Sequence, residues 1–320
     1  MTNIRDIAKM ANVSVTTVSR VLNNHPYVTE EKRKAVMQAV KQSNYYKNIN
    51  AVHLSTGKTY LIGIVLPYSD HPYFSKLLHA ISNQALANQY KLILFQTKYQ
   101  KEKEEEALNM LKQKQIDGLI ICSRAHEWDT IEQYTAYGRI ALLENCKSKS
   151  ISTTFIDHHH TFYHALEYLY KNNHRKIGYC IYRKTGVSSK ERESAYRTFL
   201  KENNIAYQPA YIFDQCLQYE DGEKVFHQLK QMTDPPSALV VTSDQVAACL
   251  VTCCQKGGID IPNDLAIIGF DNHPMAKYME ITTMEIPFEE MGGSLFKQVI
   301  QSDQVTHHQV DVRLIERKTV

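Results

Sequence analysis

Asn3-Ile4-Arg5-Asp6-Ile7-Ala8-Lys9-Met10-Ala11-Asn12-Val13-Ser14-Val15-Thr16-Thr17-Val18-Ser19-Arg20-Val21-Leu22 contains two short helical patterns with a break between them. Asn3 suits an N-cap, because its side-chain oxygen accepts a backbone N–H that the first turn leaves orphaned, and Asp6 favours the helix dipole. Ile4, Ile7, Ala8 and Ala11 recur at helical spacing and form one apolar face. The pattern stops at Asn12-Val13 and restarts at Ser14, a second N-cap. Two short helices joined by a tight turn make a helix-turn-helix unit. A third pattern, Thr29 to Ser43, starts at a Thr N-cap, presents Ala35, Val36, Ala39 and Val40 as an inner face, and closes a three-helix domain.

The second helix turns Val18, Val21 and Leu22 inward and leaves Val15, Thr16, Thr17, Ser19 and Arg20 outside. Such a face in isolation is usually just solvated. Beside a third helix that completes the domain, its chemistry matters. Hydroxyls approach phosphates, a Val or Thr methyl touches thymine, and Arg grips the O6 and N7 edge of guanine.

Ile4-Arg5-Asp6-Ile7-Ala8, Val13-Ser14-Val15, Thr17-Val18-Ser19-Arg20-Val21-Leu22-Asn23 and Val28-Thr29-Glu30-Glu31 resemble the DNA-binding head of the lac-repressor (LacI/GalR) family of bacterial transcription regulators. The resemblance implies that Val15, Thr16 and Arg20 read bases. It implies that Ser14, Thr17, Ser19, Asn23 and Thr29 hold the DNA backbone. It also places a hinge helix and linker at 48–59, the helix over Asn48 to Leu54, with Asn48, Ala51 and Leu54 entering the minor groove and the leucine wedging a base step open, which costs a few kcal/mol. Lys47, Val52 and His53 depart from that hinge pattern, and an ordinary linker through Ser55-Thr56-Gly57-Lys58 is the alternative.

Charge points the same way without the family. Residues 1–60 hold nine Lys or Arg against Asp6, Glu30 and Glu31, a net +6; the whole chain is +3, so the remainder is −3. A basic head on a mildly acidic body is the distribution of a phosphate-binding module attached to something else.

The 320-residue chain, 43% hydrophobic, is long enough for two or three domains. No run approaches the roughly 18 apolar residues of a membrane span. Seven cysteines without a CxxC argue against a disulfide framework, so Cys249, Cys253 and Cys254 read as buried reduced thiols and the compartment as cytoplasmic. Glu102-Lys103-Glu104-Glu105-Glu106 reads as a solvated helix start, and His158-His159-His160 as a polar crossover rather than a metal site. No cofactor or metal is expected, and no nucleophile with a base suggests an enzyme.

From Tyr60 onward short apolar runs alternate with longer helical ones. Strands are expected at 61–67, 90–95, 118–122, 140–143, 153–156, 177–181, 238–241 and 265–270. Such alternation builds parallel sheets covered on both faces. The expected fold is therefore an all-α helix-turn-helix head, 1–47, and an α/β body, 60–320, of two doubly wound subdomains with a cleft between them. Ligands in such sheets bind beyond the carboxyl ends of the strands. Pro67-Tyr68-Ser69-Asp70, Cys122-Ser123-Arg124, Thr242-Ser243-Asp244-Gln245 and Asp271-Asn272 fall there.

His174-Arg175-Lys176-Ile177, Ile261-Pro262-Asn263-Asp264-Leu265, Ile268-Gly269-Phe270-Asp271 and Thr282-Thr283 extend the resemblance over the body, whose family counterpart resembles periplasmic sugar-binding proteins. It implies effector contacts at Tyr73, Phe74, Ser188, Arg192, Leu217, Ser243, Gln245 and Asp271. Arg192 and Asp271 suit a sugar clamp; a plain ion pair between the two lobes is the alternative. Leu217 stands where an aromatic often stacks on the sugar, and Ser243 where Asn is frequent. The implied function is a repressor that binds a near-palindromic operator in double-stranded DNA as a homodimer. Its input is a sugar or sugar-phosphate effector or, as in catabolite-control regulators, a phosphorylated carrier protein. A regulator without a small ligand and a soluble sugar-binding protein are the rivals.

Overall fold

The structure, a computed structural model, describes residues 2–46, 53, 56–146, 148–301 and 304–320. The chain divides into two units, Met1–Lys58 and Thr59–Val320.

In the first unit α1 (Ile4–Met10), α2 (Val15–Leu22) and α3 (Glu30–Gln42) close on a core of Ile7, Ala8, Val18, Val21, Val36 and Ala39. Asn3 and Asp6 form a reciprocal capping box: the Asn3 side chain accepts from the Arg5 and Asp6 amides at 2.8 and 3.2 Å, and the Asp6 carboxylate accepts from the Asn3 amide at 3.0 Å. Each helix ends on an asparagine in the left-handed region, Asn12, Asn24 and Asn44. The amides of Val13, His25 and Tyr45 then reach back to the carbonyls of Ala8, Arg20 and Val40 at 2.9–3.1 Å. These closures satisfy last-turn carbonyls and reverse the chain within two residues.

The second unit holds two six-stranded sheets. The first has the order β2 (Lys91–Gln96), β1 (Leu61–Leu66), β3 (Gly118–Ile121), β4 (Arg139–Leu142), β5 (Ser152–Ile156), β11 (His307–Val310), all parallel. The second repeats that order with β7 (Ile212–Phe213), β6 (Ile177–Cys180), β8 (Ala238–Val241), β9 (Ala266–Phe270), β10 (Thr282–Glu285), β12 (Arg313–Ile315), and only β12 is antiparallel. The expected strands lie within about two residues of those found. β7, β10, β11 and β12 are additional.

The chain passes between the lobes after β5, after β10 and after β11. α4 (Pro72–Ala87) and α12 (Phe288–Ile300), far apart in sequence, pack closely in the first lobe. Gly292 makes that approach possible: a Cβ there would stand 2.6 Å from Ala80 Cβ and 2.9 Å from the Ile81 amide nitrogen. Gly292→Ala is expected to push α4 outward and cost about 1–3 kcal/mol. Urea unfolding checks this, and an unchanged midpoint would show that the helices separate freely.

One charged run differs from its expected role. Glu104, on α5 (Lys101–Lys112), is fully buried, and its carboxylate accepts from the Ala125 and His126 amides at 2.6 and 2.9 Å. It braces the loop after β3, so the run is not wholly solvated.

Candidate functional site

Two assemblies present chemistry. On the head, Ser14 caps α2 by accepting from the Thr17 amide at 3.1 Å, and its hydroxyl lies 2.9 Å from that of Thr17. Val15 is 40% exposed, and Thr16 and Arg20 point to solvent. The Arg20 side chain makes no hydrogen bond or ion pair among the described residues, so its guanidinium remains available for an external acceptor. Ser19 and Asn23 lie 3.5 Å apart through Oγ and Nδ2 at the end of the helix. Thr29 occupies the N-cap position of α3, but its side chain makes no capping bond. The seven head positions from Ser14 to Asn23 thus lie on one helix and its two caps, with Thr29 at the start of the next. Asn48, Ala51 and Leu54 lie outside the described residues.

The second assembly is a cavity of about 340 Å³ between the lobes of the body. It lies beyond the carboxyl ends of β1 and β3 on one side and of β6 and β8 on the other. At both places the strand order reverses, which is where open α/β sheets bind ligands. Tyr73 and Phe74 enter from the start of α4, with ring centroids 5.2 Å apart. Ser188 and Arg192 come from α8 (Val187–Glu202), Leu217 from the loop after β7, Ser243 from the end of β8, and Asp271 from the end of β9. Gln245 is not among the lining residues; it stands behind and donates through Nε2 to the Leu217 carbonyl at 2.5 Å.

Arg192 and Asp271 both belong to the second lobe, so they form no bridge between lobes. The Arg192 guanidinium stands 5.4 Å over the Phe270 ring and 3.5 Å from His158 Nδ1, while its Nε has no hydrogen-bond partner. Ser243 Oγ, on a residue 5% exposed, is likewise unpartnered. Burial, reinforced by Asp244, holds the Asp271 carboxyl well above the usual carboxylate range. Burial also pushes the Arg192 pKa down and, with the Arg192 charge, keeps His158 neutral. Unmet buried polar atoms are costly, which makes this a site for a ligand that offers donors and acceptors at close range.

The sequence reading placed Tyr68 and Arg124 beyond the strand ends, as found, but missed Tyr99, Tyr182 and Arg183 and the contacts across the cleft. Tyr68 of the first lobe and Tyr182 of the second meet through their hydroxyls at 2.9 Å, and burial raises the Tyr68 pKa to about 12. The Arg183 guanidinium stacks 3.6 Å over the Tyr99 ring, again across the lobes. Arg124 is neutralised within its own lobe by Glu144 at 2.7 Å and Glu127 at 3.3 Å. His158, expected only as part of a crossover, begins α7 (His158–Lys171) and lines the cavity. Among the described residues no group of His, Cys, Asp and Glu is placed to hold a metal, and all seven cysteines are free.

Comparison with known proteins covers both the head and the body. Residues 3–48 match the bacterial regulatory proteins of the lacI family, and residues 59–318 match the periplasmic binding proteins and sugar binding domain of the LacI family. An HTH-type transcriptional regulator of Bacillus subtilis, YkvZ, is 41% identical over 323 residues, covering 100% of both chains. Catabolite control protein B of the same organism is 34% identical over 305 residues, 95% of this chain and 96% of that one. In fold, the chain resembles the lac repressor dimer bound to operator and the anti-inducer ONPF, with a TM-score of 0.85, 23% identity, and coverage of 99% and 98%. These relatives are regulators, not enzymes, and this chain belongs to the lacI family of DNA-binding transcriptional regulators.

Proposed function

We propose that the chain is a repressor that binds a near-palindromic operator as a homodimer and is governed by a small, sugar-like effector in the cleft, within carbon catabolite control. A two-fold protein suits a two-fold site. The observation that carries the effector reading is the pair of buried, unpartnered atoms, Arg192 Nε and Ser243 Oγ, in the cavity that Asp271 also lines. A polyol has hydroxyls that donate and accept at such spacings. Tyr73, Phe74, Ser188 and Leu217 would form the rest of its surroundings, and Gln245 would hold Leu217 in place. Coupling of roughly 1–3 kcal/mol between effector and operator suffices for a 5- to 150-fold response.

Selection of bound sequences from a random DNA pool, with and without a panel of sugars, tests this. A palindromic consensus whose recovery changes with one sugar supports the reading, and absence of any consensus overturns it. A second input, a phosphorylated carrier protein docking on the body, is what resemblance to catabolite-control regulators implies; the same selection with that protein added decides between them.

On the DNA side, Val15, Thr16 and Arg20 would read bases, and Ser14, Thr17, Ser19, Asn23 and Thr29 would hold phosphates. Asn48, Ala51 and Leu54 would enter the minor groove. Arg20→Ala is expected to cost roughly 1–3 kcal/mol and to relax preference at one base position. Titration against operators varied base by base checks it; an equal loss on every sequence would make Arg20 a phosphate contact.

A further inference from the structure

The rim of the cavity carries charge that the clamp does not use. α8 is 16 residues long, and its N-cap is Gly186, which has no capping side chain. The amides of Val187, Ser188 and Ser189 therefore lack an intrahelical acceptor and point out of the helix's positive end. Ser189 is 6% exposed, its hydroxyl makes no hydrogen bond among the described residues, and it lines the same cavity. Arg183 folds back over this turn. The place where a Gly186 Cβ would stand is 3.3 Å from Arg183 Nε, 3.4 Å from its Nη2 and 3.4 Å from Ser189 Oγ, so three donors converge beside this turn.

The cavity lining also holds cations that no carboxylate pairs. Its cations are Arg124, Arg183, Lys190 and Arg192, and its carboxylates are Glu127, Glu144, Glu191 and Asp271. Arg124 pairs closely with Glu144 and more loosely with the exposed Glu127, so it is not one of the unpaired cations. Arg183, Lys190 and Arg192 have no carboxylate within ion-pair distance among the described residues. Of the two remaining acids, burial pushes Glu191 upward and holds Asp271 well above the usual carboxylate range. His71 and His158 are driven toward neutrality by burial and add no charge.

We propose that this rim is an anion seat, so that the effector of the cleft is a polyhydroxylated anion. Its acidic group rests against Arg183, Lys190 and the first-turn amides of α8, and its hydroxyls meet Arg192, Asp271 and Ser243. Helix N-termini and guanidinium groups recognise phosphate and carboxylate by the same charge-assisted hydrogen bonds. The inference rests on the cleft being the effector site and specifies what enters it.

Calorimetric titration of the full chain with glucose, glucose 6-phosphate, glucuronate and glucosamine tests it. At least one of the two anions is expected to bind about 10-fold or more tighter than glucose, a gap that salt reduces. Phosphate and carboxylate sources are told apart by which of the two shows it. Arg183→Gln, on a half-buried loop, should erase the gap by costing the anion about 10-fold more affinity than it costs glucose. Lys190→Gln, on the exposed first turn, should narrow it. Sugar binding without an anionic preference, or a preference that survives Arg183→Gln, overturns the seat and leaves the cleft reading standing. Binding by none of the four overturns both.

Discussion

Ile7→Ala is expected to abolish operator binding while leaving the body folded. Ile7 is fully buried and is the largest of the six residues that form the core of the head. Truncation of a buried isoleucine costs about 2–5 kcal/mol, because the cavity it leaves collapses only in part. A core this small supplies roughly 3–5 kcal/mol in total. The loss is therefore comparable with the whole stability of the head, and the surface of α2 loses the frame that aims Arg20. The chain's single tryptophan, Trp128, lies in the body, at the start of α6 (Trp128–Glu132). Its fluorescence should report an unchanged unfolding transition, while far-UV circular dichroism loses the helical contribution of the head and DNA titration shows no operator preference. Wild-type operator affinity in this variant would mean that the inner face of α1 is dispensable.

Most of the head was legible because its signals are local. Asn3, Asp6 and Ser14 act on amides two or three residues away, and the inner face repeats within a turn or two. The apolar runs of the body were legible for a related reason: a strand buried on both faces has nothing polar to interrupt it. β11 and β12 escaped because they are short edge strands of mixed polarity, His307–Val310 and Arg313–Ile315, paired through segments far away in sequence. Glu104 had a signal that went unused. It stands three and four residues before the buried Ala107 and Leu108, hence on the apolar face, while its neighbours in the same charged run do not.

The cleft was half legible. Asp271 and Ser243 end strands, and topology sends strand ends to the site. Tyr99, Glu144 and Arg183 sit in loops whose sequence has no period, and only the two sheets facing each other bring them together. Arg183 in particular lies three residues before an uncapped glycine, and nothing in sequence says that its side chain turns back across the cleft onto Tyr99. Arg192 and Asp271 show the converse. Their residue types suggested a pair, but the structure leaves no direct ion pair between them and leaves Arg192 Nε unpartnered.

Asp244→Ala is expected to loosen the turn that aims Asp271 and to destabilise the body by roughly 2–6 kcal/mol, since two buried donors lose their acceptor at about 1–3 kcal/mol each. Although it follows a residue that lines the cavity, Asp244 faces away into the second lobe. Its carboxylate accepts from the His273 amide at 2.7 Å and from the Thr283 hydroxyl at 2.7 Å, tying the start of α10 (Asp244–Lys256) to the segment after β9 and to β10. That segment needs holding, because Asp271 and Asn272 both lie at positive φ, +105° and +46°. Non-glycine residues persist there only when their surroundings over-determine them. Burial raises the Asp244 pKa from 3.8 to about 7, against the opposing hydrogen bonds and the charges of Lys76 and Arg317. The folded state therefore keeps a proton that the unfolded chain releases. This contribution to stability is full below pH about 4 and is lost as pH rises through about 7, with Asp271 titrating alongside as a pair. Urea unfolding across that range, followed by far-UV circular dichroism, should show stability falling with pH in the wild type. The slope should be flatter in Asp244→Asn, which keeps the shape and removes the titration. An identical slope in that variant would assign the proton to another group, and a fully stable Asp244→Ala would remove Asp244 as the brace of the clamp.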